Sequence, residues 1–216
     1  GDRIVTEKLG LSADEVLTTT RAVRKRLDLT RPVPREVLVE CIDIAHQSPT
    51  GSNSQRWRWM MVEDAPKKQV IADIYRANFA AAYAGAPEPA PGSQADRVNQ
   101  SARSLAEHMH EVPVLVIPLL ADRKGEGTPS WRQASRWGGS LPAVWSFMLA
   151  LRERGLGSAW TSLSLQNERE ISELLGIPYD DYSQAGLVPV AYTIGTDFKP
   201  AKRPPAEEFI RWYEWS

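Results

Sequence analysis

The stretch SPTGSNSQRW, Ser48–Trp57, separates two segments of different periodicity, and its reading decides how the chain is built. Before it, PREVLVECIDIAHQS (residues 34–48) sets Val37, Leu38, Cys41, Ile42 and Ala45 on one apolar helical face, with Pro34 suited to a first turn. After it, RWRWMMVE (residues 56–63) reads as a strand. The stretch itself ends the helix. Its proline, glycine, threonine, asparagine, glutamine and three serines suit a turn, and equally the rim of a flat ligand with many hydrogen-bonding edges.

Toward the N-terminus, SADEVLTTTRAVRKRL opens with Ser12 and carries Glu15 three residues on, the signature of a capping box. Val16, Thr20, Val23 and Leu27 recur at helical spacing, which predicts a helix from Ser12 to at least Thr20. Toward the C-terminus, APKKQVIADIYRANF predicts a helix whose apolar face is Val70, Ile71, Ile74 and Tyr75. The Ala-, Gly- and Pro-rich AAAYAGAPEPAPGS (residues 80–93) interrupts it as a loop excursion. A helix resumes near Gln94, with Val98, Ala102, Leu105 and Met109 in register.

VPVLVIPLL (residues 112–120) is apolar on both faces, as a central strand covered on each side would be. Its prolines, Pro113 and Pro118, argue instead for an edge or a bulge, and both readings stand at this point. ADRKGEGTPS is a charged loop. WRQASRWGGSLPAVWSFMLALRERG reads as the longest helical region, with Ser140 and Pro142 at the start of its apolar half and Gly155 as its stop. GLGSAWTSL is strand and turn, and NEREISELLGIP is a short helix closed by Gly176 and Pro178. QAGLVPVAYTIG is a last core strand, and an extended arm carries Trp212 and Trp215. This order predicts an α+β sandwich, a sheet of four or five strands wrapped by helices, in one domain spanning residues 1–216.

Bulk composition excludes several functions. A formal net charge of −1 gives no support to nucleic-acid binding. A single cysteine, Cys41, leaves no internal disulfide and fits a reducing, cytoplasmic setting. The longest apolar run falls far short of the ~20 residues of a membrane helix, and GDRIVTEKLG has no apolar signal core. His46, His108 and His110 pair with no carboxylate at a metal-ligand spacing, so no metal site is expected. There is no P-loop or nucleophile elbow, and Cys41 on its apolar face is a core residue. Eight tryptophans exceed what a core needs, and that residue concentrates at interfaces and aromatic sites.

Two basic clusters remain. RAVRKR places Arg21, Arg24, Lys25 and Arg26 at the end of the first helix, and KPAKRP places Lys199, Lys202 and Arg203 in the arm. Each alone reads as a solvated positive face. Together they can converge on a phosphate monoester, which needs several donors and favours the arginine fork.

In this order the motifs resemble the nitroreductase family of FMN-dependent oxidoreductases. TRAVRK matches the R-R-S-V-R-like end of that family's first helix, and SPTGSNSQRW its P-S-x-x-N-x-Q-P-W-like loop. LALRERGLGSAWTSL matches the long helix ending in A-x-x-x-G-L-G; LLGIPYD, LVPVAYTIG and KRPPAEEFIRWYEW match its closing motifs. The resemblance runs from about Ser12 to Trp215. It implies a mixed, mostly antiparallel central sheet and a homodimer exchanging its C-terminal arms, with residues 80–93 and 122–130 as variable lids.

The resemblance also implies that Arg21 and Arg24, with backbone at Ala22 and Val23, take the FMN phosphate and ribityl chain, and that Lys202 and Arg203 complete the clamp. Pro49, Thr50, Gly51, Ser52, Asn53 and Gln55 then line the isoalloxazine and the substrate pocket, with Ser52 toward substrate. Thr161, Ser162 and Leu163 pass the flavin N5, where a backbone N–H bonds to it. The flavin does the chemistry and no side chain is assigned as an acid. NADH or NADPH donates hydride, and a small acceptor such as a nitroaromatic or quinone follows in a ping-pong cycle. Other chemistries of the family, flavin fragmentation and reductive dehalogenation, stay open, as does a flavin-binding protein without turnover. Two positions depart from the family pattern: Ala22 where serine is usual, and Arg56 where proline is usual, which puts a cation beside the substrate pocket that either favours an acidic substrate or simply faces solvent.

Overall fold

The computed structural model describes residues 7–125 and 127–215. Three expectations reach beyond them: the missing signal core includes residues 1–6, the 122–130 lid includes Glu126, and the single domain of residues 1–216 includes all of these and Ser216. The first helix, α1 (Ala13–Thr19), begins at the expected capping box: Ser12 Oγ accepts from the Glu15 N–H, and the Glu15 carboxylate accepts from the Ser12 N–H. It stops earlier than its periodicity predicts. Thr18, Thr19 and Thr20 turn their hydroxyls onto carbonyls four residues back, and the helix gives way to a bridge at Ala22. Val23 and Leu27 are buried because that segment packs on the sheet, not because a helix continues. The basic cluster therefore lies beyond the helix, on an edge.

α2 (Arg35–Ala45) buries Val37, Leu38, Cys41 and Ala45 as the pattern predicts. β1 (Trp57–Val62) follows the Ser48–Arg56 loop. α3 (Ala65–Ala82) buries Ile71 and Tyr75 but leaves Val70 exposed; Lys68, Ala72 and Phe79 complete its inner face. α4 (Gln94–His108) buries Leu105, while Val98, expected in register with it, is exposed. β2 (Val114–Ala121) is central, which settles the proline conflict. It pairs with β1 on one side and on the other with β4 (Tyr182–Gln184) and β5 (Val188–Tyr192), all antiparallel. Pro118 falls where β4 gives way to β5. Its carbonyl accepts from the Ala185 N–H there, and the proline's missing donor coincides with the gap in the ladder.

The long helical region is two helices, α5 (Ser130–Gly138) and α6 (Leu141–Glu153), divided at Gly139–Ser140. Ser140 holds the cap position of α6, but its buried hydroxyl makes no capping bond. β3 (Leu156–Ser158) pairs antiparallel with β5, and α7 (Glu168–Leu175) ends at Gly176 with φ of 69°. The order β1-β2-β5-β3 is extended by a parallel bridge from Ala22 to Ser158, the mixed element of an otherwise antiparallel sheet.

Strand alternation builds two cores. Leu115, Ile117 and Leu119 of β2 pack with Ile71, Tyr75, Phe79, Met109 and Ile171 under α3, α4 and α7. Val114 and Val116 face Leu38, Cys41, Phe147 and Leu151 of α2 and α6. That is the predicted α+β sandwich. The arm beyond Gly195 carries Phe209, Trp212, Tyr213 and Trp215 fully or largely exposed. Among the described residues no helix is long and apolar enough to cross a membrane.

Candidate functional site

The expected site residues gather in two places. The first lies along β3. Val23 donates its N–H to the Ser158 carbonyl at 2.9 Å, and a glycine underlies the contact: a Cβ at Gly157 would stand 2.9 Å from Val23 Cβ and 2.7 Å from Thr193 Cγ2. Only a residue without a side chain lets the Arg21–Arg24 segment lie this close to the sheet. Arg21 and Arg24 are half-buried there.

Thr161 joins this group. Its hydroxyl donates to the Leu187 carbonyl at 2.7 Å, and its N–H donates to the same carbonyl at 3.0 Å. The Thr161 N–H is therefore engaged, which leaves Ser162 and Leu163 as the backbone donors on this edge. Tyr75 on α3 is buried in the core cluster that also holds Val23. Burial pushes its phenol up, against which the Arg24 charge and a hydrogen bond with Thr161 act. Asn78, one turn on, donates to the Leu163 carbonyl at 2.9 Å and to Asn167 Oδ1 at 2.8 Å. The sequence pattern assigned Tyr75 to the apolar face of α3, where it is buried, and did not single out Asn78, whose amide ties α3 to the Leu163–Asn167 segment. A polar Asn78 seven residues after Ile71, on the apolar stripe of α3, was the available signal.

The arm starts from the same edge. Arg26 donates to the Ile194 carbonyl, pairs with Asp197 and lies 4.3 Å over the Phe198 ring, a short stretch of chain before Lys202 and Arg203. The arm's anchor is thus fixed beside the first cluster. Lys202 and Arg203 themselves stand in exposed chain, and Arg203 donates to the Lys202 carbonyl.

The second place is the Ser48–Arg56 loop. Ser52, Asn53 and Gln55 all adopt left-handed backbone, with φ of 52°, 51° and 47°. Such residues cost about 1–3 kcal/mol each and persist where surrounding structure demands them, often at ligand clamps. Gln55 is tied back through its N–H to Thr50 Oγ1 (3.2 Å) and its side-chain amide to Asn53 Oδ1 (2.9 Å), and Ser48 Oγ meets Ser146 Oγ at 3.1 Å. Residues 51–56 remain exposed, so the loop offers a shaped polar rim. His46 supports it from below, edge-on to Trp57 at 4.9 Å and accepting from Trp59 Nε1 at 3.0 Å; burial holds its imidazole below the usual range.

Arg56 does not simply face solvent: it pairs with Asp122, which also holds Lys124. The loop, Arg56, Lys124 and α5 line a cleft of about 340 Å³. Cys41 is fully buried, and desolvation pushes its thiol up to about 12, which removes it as a nucleophile.

The sheet keeps the two places apart. Ala22 pairs with Ser158, Ser158 with Val190 and Val190 with Val114, whereas Trp57 pairs with Leu120. Ala22 and Trp57 are four strands apart across the sheet and six residues apart along it, roughly 28 Å by standard sheet spacings.

Known proteins share this fold. The chain is 28% identical over 152 residues to 5,6-dimethylbenzimidazole synthase of Rhodospirillum rubrum, covering 68% of this chain and 67% of that protein. It is 26% identical over 197 residues to iodotyrosine deiodinase of Thermotoga neapolitana, covering 91% and 95%. Among solved structures, the FMN and NADPH-dependent nitroreductase NfnB from Sphigopyxis sp. strain HMH superposes with a TM-score of 0.65 at 22% identity, over 95% of this chain and 100% of that one. The sequence profile described as the nitroreductase family matches residues 17–192, which takes in the Arg21–Arg24 segment, the Ser48–Arg56 loop and Thr161 together. The chain belongs to the nitroreductase family.

Proposed function

We propose that this protein is an FMN-dependent oxidoreductase, a homodimer of the cytoplasm, that takes hydride from NADH or NADPH and reduces a small planar acceptor such as a nitroaromatic or quinone. The supporting observation is that the Arg21–Arg24 segment is held against β3 through the Val23–Ser158 hydrogen bond over Gly157, with the arm's anchor at Arg26 and Asp197 beside it. When bound, FMN supplies the redox chemistry, accepting hydride at N5 from the nicotinamide and passing it to the acceptor.

The chain's own groups bind and orient. Arg21 and Arg24, with Lys202 and Arg203 from the arm, would hold the phosphate through charge-assisted hydrogen bonds. The backbone at Ala22 and Val23 fixes the segment on the sheet. With the Thr161 N–H occupied by Leu187, Ser162 and Leu163 offer the N–H for flavin N5. Pro49, Thr50, Gly51, Ser52, Asn53 and Gln55 form the polar rim for the ring, with Ser52 and Arg56 toward the acceptor.

The roughly 28 Å between the rim and the phosphate segment is more than one FMN bridges within a single chain. This favours sites built by two copies, the rim of one meeting the phosphate segment of its partner, with the exposed aromatic arm wrapped across the pair. The names of the relatives cover deiodination and benzimidazole synthesis as well. A lid that grips a zwitterion needs charge, and in residues 80–93 the single charged side chain, Glu88, already pairs with Arg103 at 3.6 Å. This favours reduction of a simpler acceptor. Equilibrium titration of apoprotein with FMN tests the clamp: Arg21→Ala with Arg203→Ala is expected to abolish FMN retention through gel filtration, and undiminished retention refutes the assignment.

A further inference from the structure

The cleft beside the rim is built for negative charge. Arg56, Lys124, Arg132 and Arg136 line it together with Ser52 and Trp131. Two carboxylates among the described residues act on this group, and both are engaged: Asp122 by Arg56 and Lys124, and Glu168 by Arg123. Arg132 and Arg136 follow each other by one helical turn on α5 and so project from one face. Neither has an ion pair among the described residues. Arg136 donates to Ser183 Oγ at 3.2 Å, and its Nε is buried with no partner. Burial, acting against the nearby Asp122 charge, holds its guanidinium below the usual range. A half-buried arginine with an unmet donor is a group short of an anion. Beside it, the Trp131 ring is 66% exposed, an aromatic surface with nothing described against it except the Arg132 guanidinium at 5.1 Å.

The size of the cleft narrows the anion. About 340 Å³ lies at the small end of ligand pockets and suits one substituted ring rather than a dinucleotide. The arginine fork matches the planar carboxylate bidentately. Resting on the oxidoreductase reading above, we propose that the cleft selects an acceptor bearing a carboxylate on an aromatic ring. Arg136 and Arg132 take the carboxylate, and Trp131 lies along the ring.

Calorimetric titration of the FMN-loaded protein with benzoate and with its neutral counterpart benzamide tests this. Benzoate is expected to bind roughly tenfold tighter, and the preference to shrink as salt is raised. Arg136→Gln is expected to reduce that preference to about twofold, with benzamide affinity unchanged. If Arg136→Gln fails to fold by circular dichroism, Arg132→Gln, an exposed change on α5, must itself weaken benzoate by roughly threefold. Equal binding of the two probes, a preference that survives both variants, or a loss that falls on NADPH rather than benzoate overturns the proposal. FMN content and anaerobic bleaching by NAD(P)H, read on the same preparations, report the oxidoreductase reading separately. Absent bleaching with an intact benzoate preference sinks that reading and leaves the anion site standing.

Discussion

Gly157→Ala is the most direct perturbation of the link between sheet and cofactor segment. The added methyl would lie 2.7 Å from Thr193 Cγ2, 2.9 Å from Val23 Cβ and 3.0 Å from Val23 Cγ1, where carbon atoms ordinarily rest at about 3.5–4.0 Å. Both neighbours are β-branched and stiff about their first torsion. Val23 Cβ is joined directly to the backbone, so the clash cannot be relieved by a flexible side-chain tip. The Arg21–Arg24 segment must lift from β3 or β3 must shift. Overpacking of this kind costs about 1–3 kcal/mol. For a chain of this size that lowers Tm by roughly 2–12 °C. If the strain is relieved by displacing the segment, FMN affinity falls by roughly 5- to 150-fold at 1.4 kcal/mol per decade. Thermal melts and quenching of FMN fluorescence on binding read both. Gly125→Ala, where an added methyl meets nothing within 4 Å, is the control. A Gly157→Ala protein with the Tm and FMN affinity of the parent refutes the claim that this close approach positions the phosphate segment.

Two further outcomes are expected. Because folding raises the Cys41 thiol to about 12, the folded state keeps a proton that the unfolded chain loses above its ordinary value of about 8.5. Stability contributed by Cys41 is thus fully present below that value and declines as pH rises toward 12; denaturant melts of the parent and Cys41→Ala should diverge there, and parallel pH profiles would refute the reading. Deleting residues 205–215, with exposed Phe209, Trp212 and Trp215, should shift the protein from dimer to monomer in sedimentation velocity; an unchanged dimer would show that the arm does not hold the copies together.

The sequence made visible what local chemistry determines. The capping box at Ser12 and Glu15, the buried face of α2 and the left-handed stop at Gly176 all follow from patterns within a few residues of each other, whereas the central place of β2, left open by its prolines, needed the fold. What it hid depends on distant partners. Val23 and Leu27 mimic a continuing helix because a strand edge and a helix face bury the same residue types. β4 is only Tyr-Ser-Gln, too short and polar to announce itself, and exists because β2 presents an unpaired edge there. The polar composition of the Ser48–Trp57 loop was evident, yet its three left-handed residues were not. Arg132 and Arg136 look like any solvated pair until the fold shows that the described acids nearby are already engaged.

The central claim is a two-electron flavin cycle, and anaerobic titration of the FMN-loaded protein with NADH and NADPH tests it most directly. The account predicts that at least one of them bleaches the yellow flavin absorbance, and that a nitroaromatic or quinone added afterward restores it. A protein that takes up no FMN, or whose flavin stays yellow under excess of both donors, contradicts it.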